Sequence, residues 1–302
     1  MNVCILIPTY NGGEVWKKSA AAIKKFSPKN IKIRVIDSQS SDGSEQVAKN
    51  NGFEVEIINK KTFNHGRTRN LAVNYLPEDI DIVIFLTQDA IPQENYVENI
   101  IASFADNSVA CVYGRQLPHD DANTLARHAR IFNYPELSHS YTLADIPEKG
   151  IKTAFTSNSF CAYRVDTFKK LKGFNEDIIL SEDMYFAAKA ILSGYKVNYS
   201  AMAMVKHSHN YTVYEEFKRY FDIGVFHEKE KWINESFGGA GSEGKKYLIS
   251  EFNYILKNSP LMILSFITHN FAKLLGYKIG KKHSHLPMNW VKKLSMHKGY
   301  WR

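Results

Sequence analysis

The sequence has little cysteine, and no stretch of it resembles a leader or a membrane span. Cys4, Cys111 and Cys161 are far apart, odd in number and each within an apolar run, which predicts buried free thiols. The chain begins directly on a strand-like run, 3–7, so we expect no secretory signal and a reducing cytosolic environment. The uncharged run 259–272 contains Ser, Thr, His and Asn and is shorter than the ~18–20 residues of a membrane-spanning helix. It could form a core helix or an interfacial helix.

Acidic residues are missing from the end of the chain. The segment 258–302 holds eight Lys or Arg and no Asp or Glu, whereas the other 257 residues hold 31 basic and 31 acidic groups. The formal charge of +8 is therefore carried by this segment. It would suit an anionic membrane surface, a nucleic acid or another polyanion. Because it lacks a recognised nucleic-acid-binding motif, we expect no nucleic-acid partner.

Strand-like and helix-like segments alternate through the first half of the chain. This order predicts an α/β fold with a mostly parallel sheet and helices on both faces. Residues 115–150 interrupt the pattern and are predicted as loops and short helices over a site. After about residue 208 the chain becomes helical, so we predict a nucleotide-binding and catalytic region, 1–208, and a basic helical region, 209–302.

Asp89 closely follows an apolar run, 82–86, that predicts a strand buried on both faces. A carboxylate there is costly to desolvate unless it is paired or faces a crevice. In open α/β sheets ligands bind in that crevice, and a carboxylate there suits a divalent cation and hence a diphosphate. The alternative is a surface aspartate beside a helix that Pro92 and Glu94 could open.

A second polar turn, 37–44, follows the second predicted strand. Asp37 could accept hydrogen bonds from a pyrimidine edge or from ribose hydroxyls. Gly43 permits the turn, and Ser44 could cap the next helix. An ordinary turn would explain each residue alone, but explains the ordered set less well.

Two predicted helix starts carry charged side chains. Arg67 and Arg69 lie where backbone N–H groups favour anions, and arginine binds phosphate oxygens in bidentate fashion. Ser181 is a predicted N-cap before Glu182 and Asp183, and the helix dipole keeps these carboxylates ionised, which suits a general base. The alternatives are a surface basic pair and simple charge complementation of the helix.

His207 and His209 end another predicted strand, 197–205. We expect at most one of the two imidazoles to face Asp89. Neutral imidazole with a carboxylate can complete a Mn²⁺ or Mg²⁺ site shared with phosphate oxygens. A structural histidine pair is the alternative.

Taken in order, these segments resemble the family 2 glycosyltransferases, which are inverting enzymes with the GT-A fold. The resemblance covers about residues 1–208 and implies a Rossmann-like, mostly parallel sheet with a helical C-terminal extension. The matching segments are Pro8-Thr9-Tyr10-Asn11, Asp37-Ser38-Gln39-Ser40-Ser41-Asp42-Gly43-Ser44, Gly66-Arg67-Thr68-Arg69-Asn70 and Gly173-Phe174-Asn175-Glu176, followed by Glu182-Asp183.

The resemblance also implies roles for individual residues. Asp183, with Glu182 beside it, is the expected catalytic base. The family's Asp-x-Asp metal motif is reduced here to Thr87-Gln88-Asp89, so a Mg²⁺ or Mn²⁺ ion would bind Asp89 and His207, with His209 as the alternative. The expected nucleotide and donor contacts are Pro8, Thr9, Tyr10, Asn11, Asp37, Ser40, Asp42, Gly66, Arg67, Arg69, Asn70 and Gln88.

Within the family, three segments resemble bacterial rhamnosyltransferases of O-antigen and capsule assembly, which use dTDP-L-rhamnose: 87–90, 206–212 and 219–227. The implied acceptor is a saccharide or lipid-linked saccharide. The implied location is the cytoplasmic face of the cell membrane, with 258–302 on anionic lipid. The same segment could instead mediate homo-oligomerisation or belong to the core.

Two other enzymatic functions stay open. A family 2 enzyme could use a UDP-hexose, because Asp37 would read the uracil and thymine edges alike. A sugar nucleotidyltransferase has a similar sheet, but the turn 8–13 lacks the long Gly-rich, basic phosphate loop of those enzymes.

Overall fold

The computed structural model describes residues 1–239 and 241–301, with Ser242 described by its backbone alone. The strands are β1 (Val3–Thr9), β2 (Lys32–Asp37), β3 (Glu54–Ile57), β4 (Ile82–Leu86), β5 (Ile91–Pro92), β6 (Val109–Leu117), β7 (His139–Tyr141), β8 (Phe160–Arg164) and β9 (Lys196–Lys206). The helices are α1 (Gly13–Phe26), α2 (Ser44–Asn50), α3 (His65–Asn74), α4 (Tyr96–Ala102), α5 (Thr124–Asn133), α6 (Ile146–Lys149), α7 (Val165–Lys170), α8 (Glu182–Leu192), α9 (Val213–Lys229), α10 (Lys231–Phe237), α11 (Gly241–Asn258), α12 (Ile263–Gly280) and α13 (Met288–Leu294).

The strands join one mixed sheet in the order β3-β2-β1-β4-β8-β6-β9-β5, and β7 pairs with β9. Strands β1, β2, β3, β4, β6 and β9 point one way, whereas β5, β7 and β8 point the other way. All five residues of β4 are buried, as its continuous apolar run predicts. The prediction of a mostly parallel α/β sheet is confirmed.

Side chains on the two faces of the sheet enter two hydrophobic cores. Alternation along β1 sends Ile5 and Ile7 into the core beneath α1, α2 and α4. It sends Cys4 and Leu6 into the core beneath α3, α7, α8 and α9. All three cysteines are buried and free, which confirms that prediction.

The C-terminal helices pack on the second core. Helices α9 and α12 cross so closely that only glycine fits at the crossing. A Cβ atom on Gly224, Gly276 or Gly280 would overlap a backbone carbonyl of the facing helix. Further along, Val291 and Trp301 are buried in the same core. Part of the basic segment is therefore integral to the fold; Arg302 lies outside the described residues. The division at 208/209 stays a prediction.

Two local predictions are wrong, and a third holds only in part. Ser181 occupies the N-cap position of α8 as predicted, but its backbone is left-handed (φ 63°) and its side chain makes no capping hydrogen bond. Ser44 lies inside α2, where its hydroxyl donates to Asp42 (2.7 Å) instead of capping the helix. Residues 115–150 include more regular structure than predicted, since β6 continues to Leu117 and is followed by the ten-residue α5 and by β7.

Candidate active site

The turns after β1 and β2 are joined through Asp37, which is 1% exposed. Its Oδ2 accepts hydrogen bonds from the hydroxyls of Thr9 (3.0 Å) and Ser40 (2.6 Å), and its Oδ1 accepts from the Ser40 backbone N–H (2.8 Å). The Asn11 N–H in turn donates to the Ser40 hydroxyl (2.9 Å). These predicted nucleotide contacts therefore fix each other, and their contact with a base or ribose stays a prediction.

A second set of hydrogen bonds joins the turns that follow β1, β2 and β4. The Gly13 N–H donates to the Asp42 carboxylate (2.8 Å). The Gln88 side-chain amide accepts from the Tyr10 N–H (2.8 Å) and donates to the Tyr10 carbonyl (3.1 Å), which joins the end of β1 to the turn after β4. Pro8 lies in β1, paired with Ile36 of β2. Gln88 thus fixes the backbone of Tyr10, whose side chain is exposed to solvent.

Asp89, His207 and His209 converge at one place. Asp89 Oδ2 lies 3.4 Å from His207 Nε2 and 3.6 Å from His209 Nε2. The pairing of Ile91 with Lys206 brings the Asp89 turn beside the end of β9. The prediction that at most one histidine faces Asp89 is wrong, because side chains two positions apart in an extended chain lie on the same side, and both rings lie against Asp89.

The protonation of this group suits a divalent cation. Burial acts to raise the pKa of Asp89, but His207 and His209 beside it hold that pKa well below its usual range, so the carboxylate is ionised. Burial, with His207 as the next cause, lowers the pKa of His209 to about 3, so this ring is neutral at pH 7. The three ligand atoms lie within 4.8 Å of one another. One oxygen and two nitrogen donors at this spacing fit a single divalent ion.

Gln116, which the motifs do not reveal, orients one of these rings. Its buried Oε1 accepts from His207 Nδ1 (2.8 Å), and His207 Nε2 is the ring nitrogen that faces Asp89. The same Oε1 accepts a hydrogen bond from Arg130, and the Gln116 amide nitrogen donates to Ser157 (2.9 Å). Gln116 and His207 are 91 positions apart, so no local pattern could have linked them.

The start of α3 is bound to the loop that precedes α8. Asn70 donates to the Phe174 carbonyl (2.9 Å) and accepts from the Phe174 N–H (2.9 Å). Arg67 Nε donates to Glu176 (2.9 Å), and a Cβ on Gly66 would lie 2.6 Å from the Asn175 carbonyl oxygen. In this structure Gly66, Arg67 and Asn70 position that loop. Their contact with the donor stays a prediction.

Arg69 is buried and forms an ion pair with Glu182 (3.1 Å). Its Nη1 also donates to the His65 carbonyl (3.1 Å), and Glu182 accepts a further bond from the Asn158 amide (2.9 Å). Burial disfavours the charge of Glu182, but Arg69 and His65 hold its pKa below the usual value. Arg69 therefore serves the carboxylate pair of α8 here.

Asp183 is partly exposed and lies beside this ion pair. Its two oxygens accept from the N–H groups of Asn158 (2.8 Å) and Met184 (2.8 Å). Burial, with the Glu182 carboxylate as the next cause, raises the pKa of Asp183 to about 7. The expectation that both carboxylates stay ionised therefore holds for Glu182 and is wrong for Asp183. A carboxyl with such a pKa can exchange a proton near neutral pH, as a general base requires.

Comparisons with known proteins agree with this architecture. The chain is 50% identical to the O-antigen chain rhamnosyltransferase RfbN of Salmonella typhimurium over 100% of this chain and 96% of the relative. It is 47% identical to the O-antigen chain rhamnosyltransferase WbaN of Salmonella anatum, over 98% of this chain and 95% of the relative.

Solved structures share the fold at lower identity. A Pyrobaculum calidifontis mannosyltransferase in complex with GDP-Man and Mn²⁺ aligns with a TM-score of 0.57 and 17% identity, over 99% of this chain and 85% of that one. Staphylococcus aureus TarS 1–349 in complex with UDP-GlcNAc aligns with a TM-score of 0.55 and 14% identity, over 94% of this chain and 92% of that one. The family model for glycosyl transferase family 2 matches residues 4–172. The chain belongs to glycosyl transferase family 2 and has the GT-A fold that its motifs predict.

Proposed function

We propose that this glycosyltransferase moves L-rhamnose from dTDP-L-rhamnose to a hydroxyl of a saccharide acceptor in O-antigen synthesis, with inversion at the anomeric carbon. The observation that carries the proposal is the full-length identity of 50% and 47% to two O-antigen chain rhamnosyltransferases. The Asp89 group, which consists of Asp89, His207 and His209, and the carboxyl of Asp183 are proposed to supply what such a transfer needs: positive charge at the diphosphate through a bound cation, and a base.

Asp183 is the proposed catalytic base. It takes the proton of the acceptor hydroxyl as that oxygen bonds to the anomeric carbon, while the bond to the nucleotide diphosphate breaks on the opposite face. Glu182 stays ionised against Arg69 and makes Asp183 more basic through like-charge repulsion. The proton is thus held on Asp183 until solvent removes it.

Charge on the departing diphosphate is met at the Asp89 group. A divalent cation bound by Asp89, His207 and His209 would supply positive charge to the phosphate oxygens. Gln116 keeps the His207 tautomer that offers Nε2 to such an ion. Both predicted arginines are paired, but Arg69 is buried against Glu182, whereas Arg67 is half-exposed and pairs with Glu176 through Nε. Arg67 is therefore the proposed contact of the diphosphate.

The donor is tested by the thermal stability of the protein against dTDP, UDP, GDP and CMP, each with Mn²⁺, Mg²⁺ or EDTA. We expect a metal-dependent rise in melting temperature that is largest with dTDP. A preference for UDP would replace rhamnose by a UDP-hexose. No shift with any nucleotide would overturn the proposal.

We further propose that the protein binds anionic membrane surfaces through α11 and α12. No described helix is both long and apolar enough to span a membrane. The two helices nevertheless expose an apolar surface, the α11–α12 ridge, consisting of Ile249, Phe252, Leu256, Leu261, Leu264, Ile267 and Phe271. Leu261, in the turn between them, is 96% exposed. An apolar ridge within a region rich in lysine and devoid of acid beyond residue 258 suits the headgroup layer of an anionic bilayer.

A further inference from the structure

The end of the chain returns to the proposed catalytic carboxylates. The C-terminal turn, which we define as residues 295–301, contacts α9, the start of α3 and the loop that precedes α8. Ser295 at its beginning and Trp301 at its end are both buried. The turn lies far beyond the residues that the family model matches, 4–172, so the family resemblance assigns it no role.

A buried carboxylate on α9 fixes the shape of this turn. Asp222 is buried, and its Oδ2 accepts hydrogen bonds from the backbone N–H groups of Met296 (2.8 Å) and His297 (3.1 Å). The His297 N–H also donates to the Ser295 hydroxyl (3.0 Å). Because these bonds hold the backbone of His297, they also set the direction of its side chain.

The far end of the turn is bound to the loop that leads into α8. The Tyr300 hydroxyl donates to the Asp177 carbonyl (2.9 Å) and accepts from Lys229 Nζ of α9 (2.6 Å). The Lys229 ammonium also lies 4.8 Å from the centroid of the Tyr300 ring. The C-terminal turn therefore joins α9 to the segment that carries the proposed base.

Between these two attachments, His297 packs against His65, the first residue of α3. The two ring centroids are 5.1 Å apart and the ring planes are nearly perpendicular, at 89°. Neither ring forms a hydrogen bond with a described residue, so the contact is one of packing. The His65 carbonyl accepts from Arg69 Nη1 (3.1 Å), so His65 lies between the C-terminal turn and the buried pair of Arg69 with Glu182.

Both imidazoles are uncharged at neutral pH. Burial, with His65 as the next cause, lowers the pKa of His297 to about 4. Asp222, Glu182 and Arg219 are the other charged groups that act on His297: the two carboxylates oppose this shift in pKa, and the arginine adds to it. Burial also lowers the pKa of His65, against the opposing effect of Glu182. Two neutral rings thus lie beside the ion pair and contribute to its burial.

We propose that the C-terminal turn is a positioning element of the active site and that His297 is its positioning residue. The His297 ring holds His65 and the start of α3 in place, so that Arg69 stays against Glu182 and water stays away from the pair. Asp183 keeps its raised proton affinity only while Glu182 is ionised and the surroundings are dry. The inference rests on the proposed function, because it concerns the surroundings of the proposed base.

The titration of the Asp183 carboxyl tests the inference without donor or acceptor. Aspartate is isotope-labelled at the side-chain carboxyl carbon in the full-length protein, and NMR follows each signal against pH. The signal that is absent from Asp183→Asn identifies the base. His297→Ala removes the ring, His297→Phe keeps an aromatic ring, and His285→Ala is the control, because His285 belongs to the same region but is exposed. Calorimetry with dTDP and Mn²⁺ measures donor binding in each variant.

We expect Asp183 of the wild type and of the control to titrate near pH 7. In His297→Ala water reaches the pair of Arg69 with Glu182, so the pKa of Asp183 should fall by at least about 1. In His297→Phe that pKa should stay within about 0.3 of the wild-type value, since the packing needs no ring nitrogen. Binding of dTDP should change by less than about twofold in every variant. If His297→Ala does not fold, His65→Ala removes the other ring and should give the same fall.

Four results would overturn the inference. An unchanged titration of Asp183 in His297→Ala removes the turn from the active site. An equal fall in His297→Phe shows that the imidazole acts otherwise than by packing. A matching loss of dTDP binding in His297→Ala shows a general disturbance of the fold. A wild-type Asp183 that titrates near the ordinary value of about 4 has no raised pKa to maintain. The proposed function fails separately, if the wild type binds no nucleotide, because the titration needs none.

Discussion

At the scale of single residues, we expect the surroundings of the proposed base, Asp183, to set the pH range of transfer. Its pKa is raised to about 7 by burial and by Glu182, so below that pH the carboxyl is protonated and cannot accept a proton. We expect kcat/KM for transfer to fall about tenfold per pH unit on the acid side of about pH 7 and to level off above it. A pH–rate profile measures this, and a flat profile between about pH 5.5 and 8 would remove Asp183 from the base role.

Gln116 is expected to act on metal binding without touching the ion. In Gln116→Leu the His207 Nδ1 loses its acceptor, so the ring is free to take the wrong tautomer. Loss of such a partner costs about 10–100-fold in metal affinity. Calorimetric titration with Mn²⁺ measures the effect, with Gln46→Leu as the control because Gln46 is on the surface of α2. Equal affinities in the two variants would contradict the proposed orientation of His207.

The two arginines of α3 should differ in their effect on stability. Arg69→Met leaves Glu182 buried without its cation and is expected to cost about 3–5 kcal/mol in the free energy of unfolding. Arg67→Met breaks a half-exposed pair with Glu176 and should cost less than about 1 kcal/mol. Urea unfolding compares them, and similar losses would contradict the distinction.

At the scale of elements, the close crossing of α9 and α12 depends on glycine. In Gly280→Ala the added Cβ would overlap the Phe221 backbone carbonyl, so the two helices must separate. We expect this to lower the free energy of unfolding by about 1–3 kcal/mol. Gly244→Ala, in α11, has open space around the added atom and should be neutral or stabilising. Thermal unfolding of both variants tests the crossing, and a neutral Gly280→Ala would disprove it.

The sequence predicts elements well where a pattern is local. The apolar runs of β1 and β4 and the helices between them follow from periodicity, and the parallel order follows from their alternation. The Ser181 side chain makes no capping hydrogen bond, and its left-handed backbone differs from the extended one that N-cap residues usually adopt. No local pattern in the sequence reveals that conformation.

The candidate site was predictable in composition but not in geometry. Asp89, His207 and Asp183 follow from motifs and the resemblance. The contact of His209 with Asp89 and the roles of Gln116 and Asn158 depend on contacts between distant segments. Such contacts exist only after folding, so they leave no short-range trace in the sequence.

At the scale of the whole molecule, membrane binding should be separable from folding. Deleting 258–302 would remove Val291 and Trp301 from the core, so substitutions on the α11–α12 ridge are the better test. We expect Leu261→Asn with Leu264→Asn to reduce sedimentation with phosphatidylglycerol vesicles, because both side chains are exposed. Leu137→Asn, at an 80% exposed leucine outside the ridge, is the control.

The same variants distinguish lipid from self-association. If the ridge is instead a dimer interface, the wild type sediments as a dimer in the ultracentrifuge and the double variant as a monomer. Vesicle binding that persists in the double variant would contradict the membrane proposal.

The most direct test of the proposed mechanism compares donor binding with transfer in Asp183→Asn. The variant keeps the size of the side chain but cannot take up the acceptor proton, and the Asp89 group is unchanged. With dTDP-L-rhamnose, Mn²⁺ and a lipid-linked saccharide acceptor, we expect the donor dissociation constant to stay within about twofold while transfer falls by about 10²–10⁴-fold. Retained transfer, or donor binding lost along with it, would contradict the assignment of Asp183 as the base.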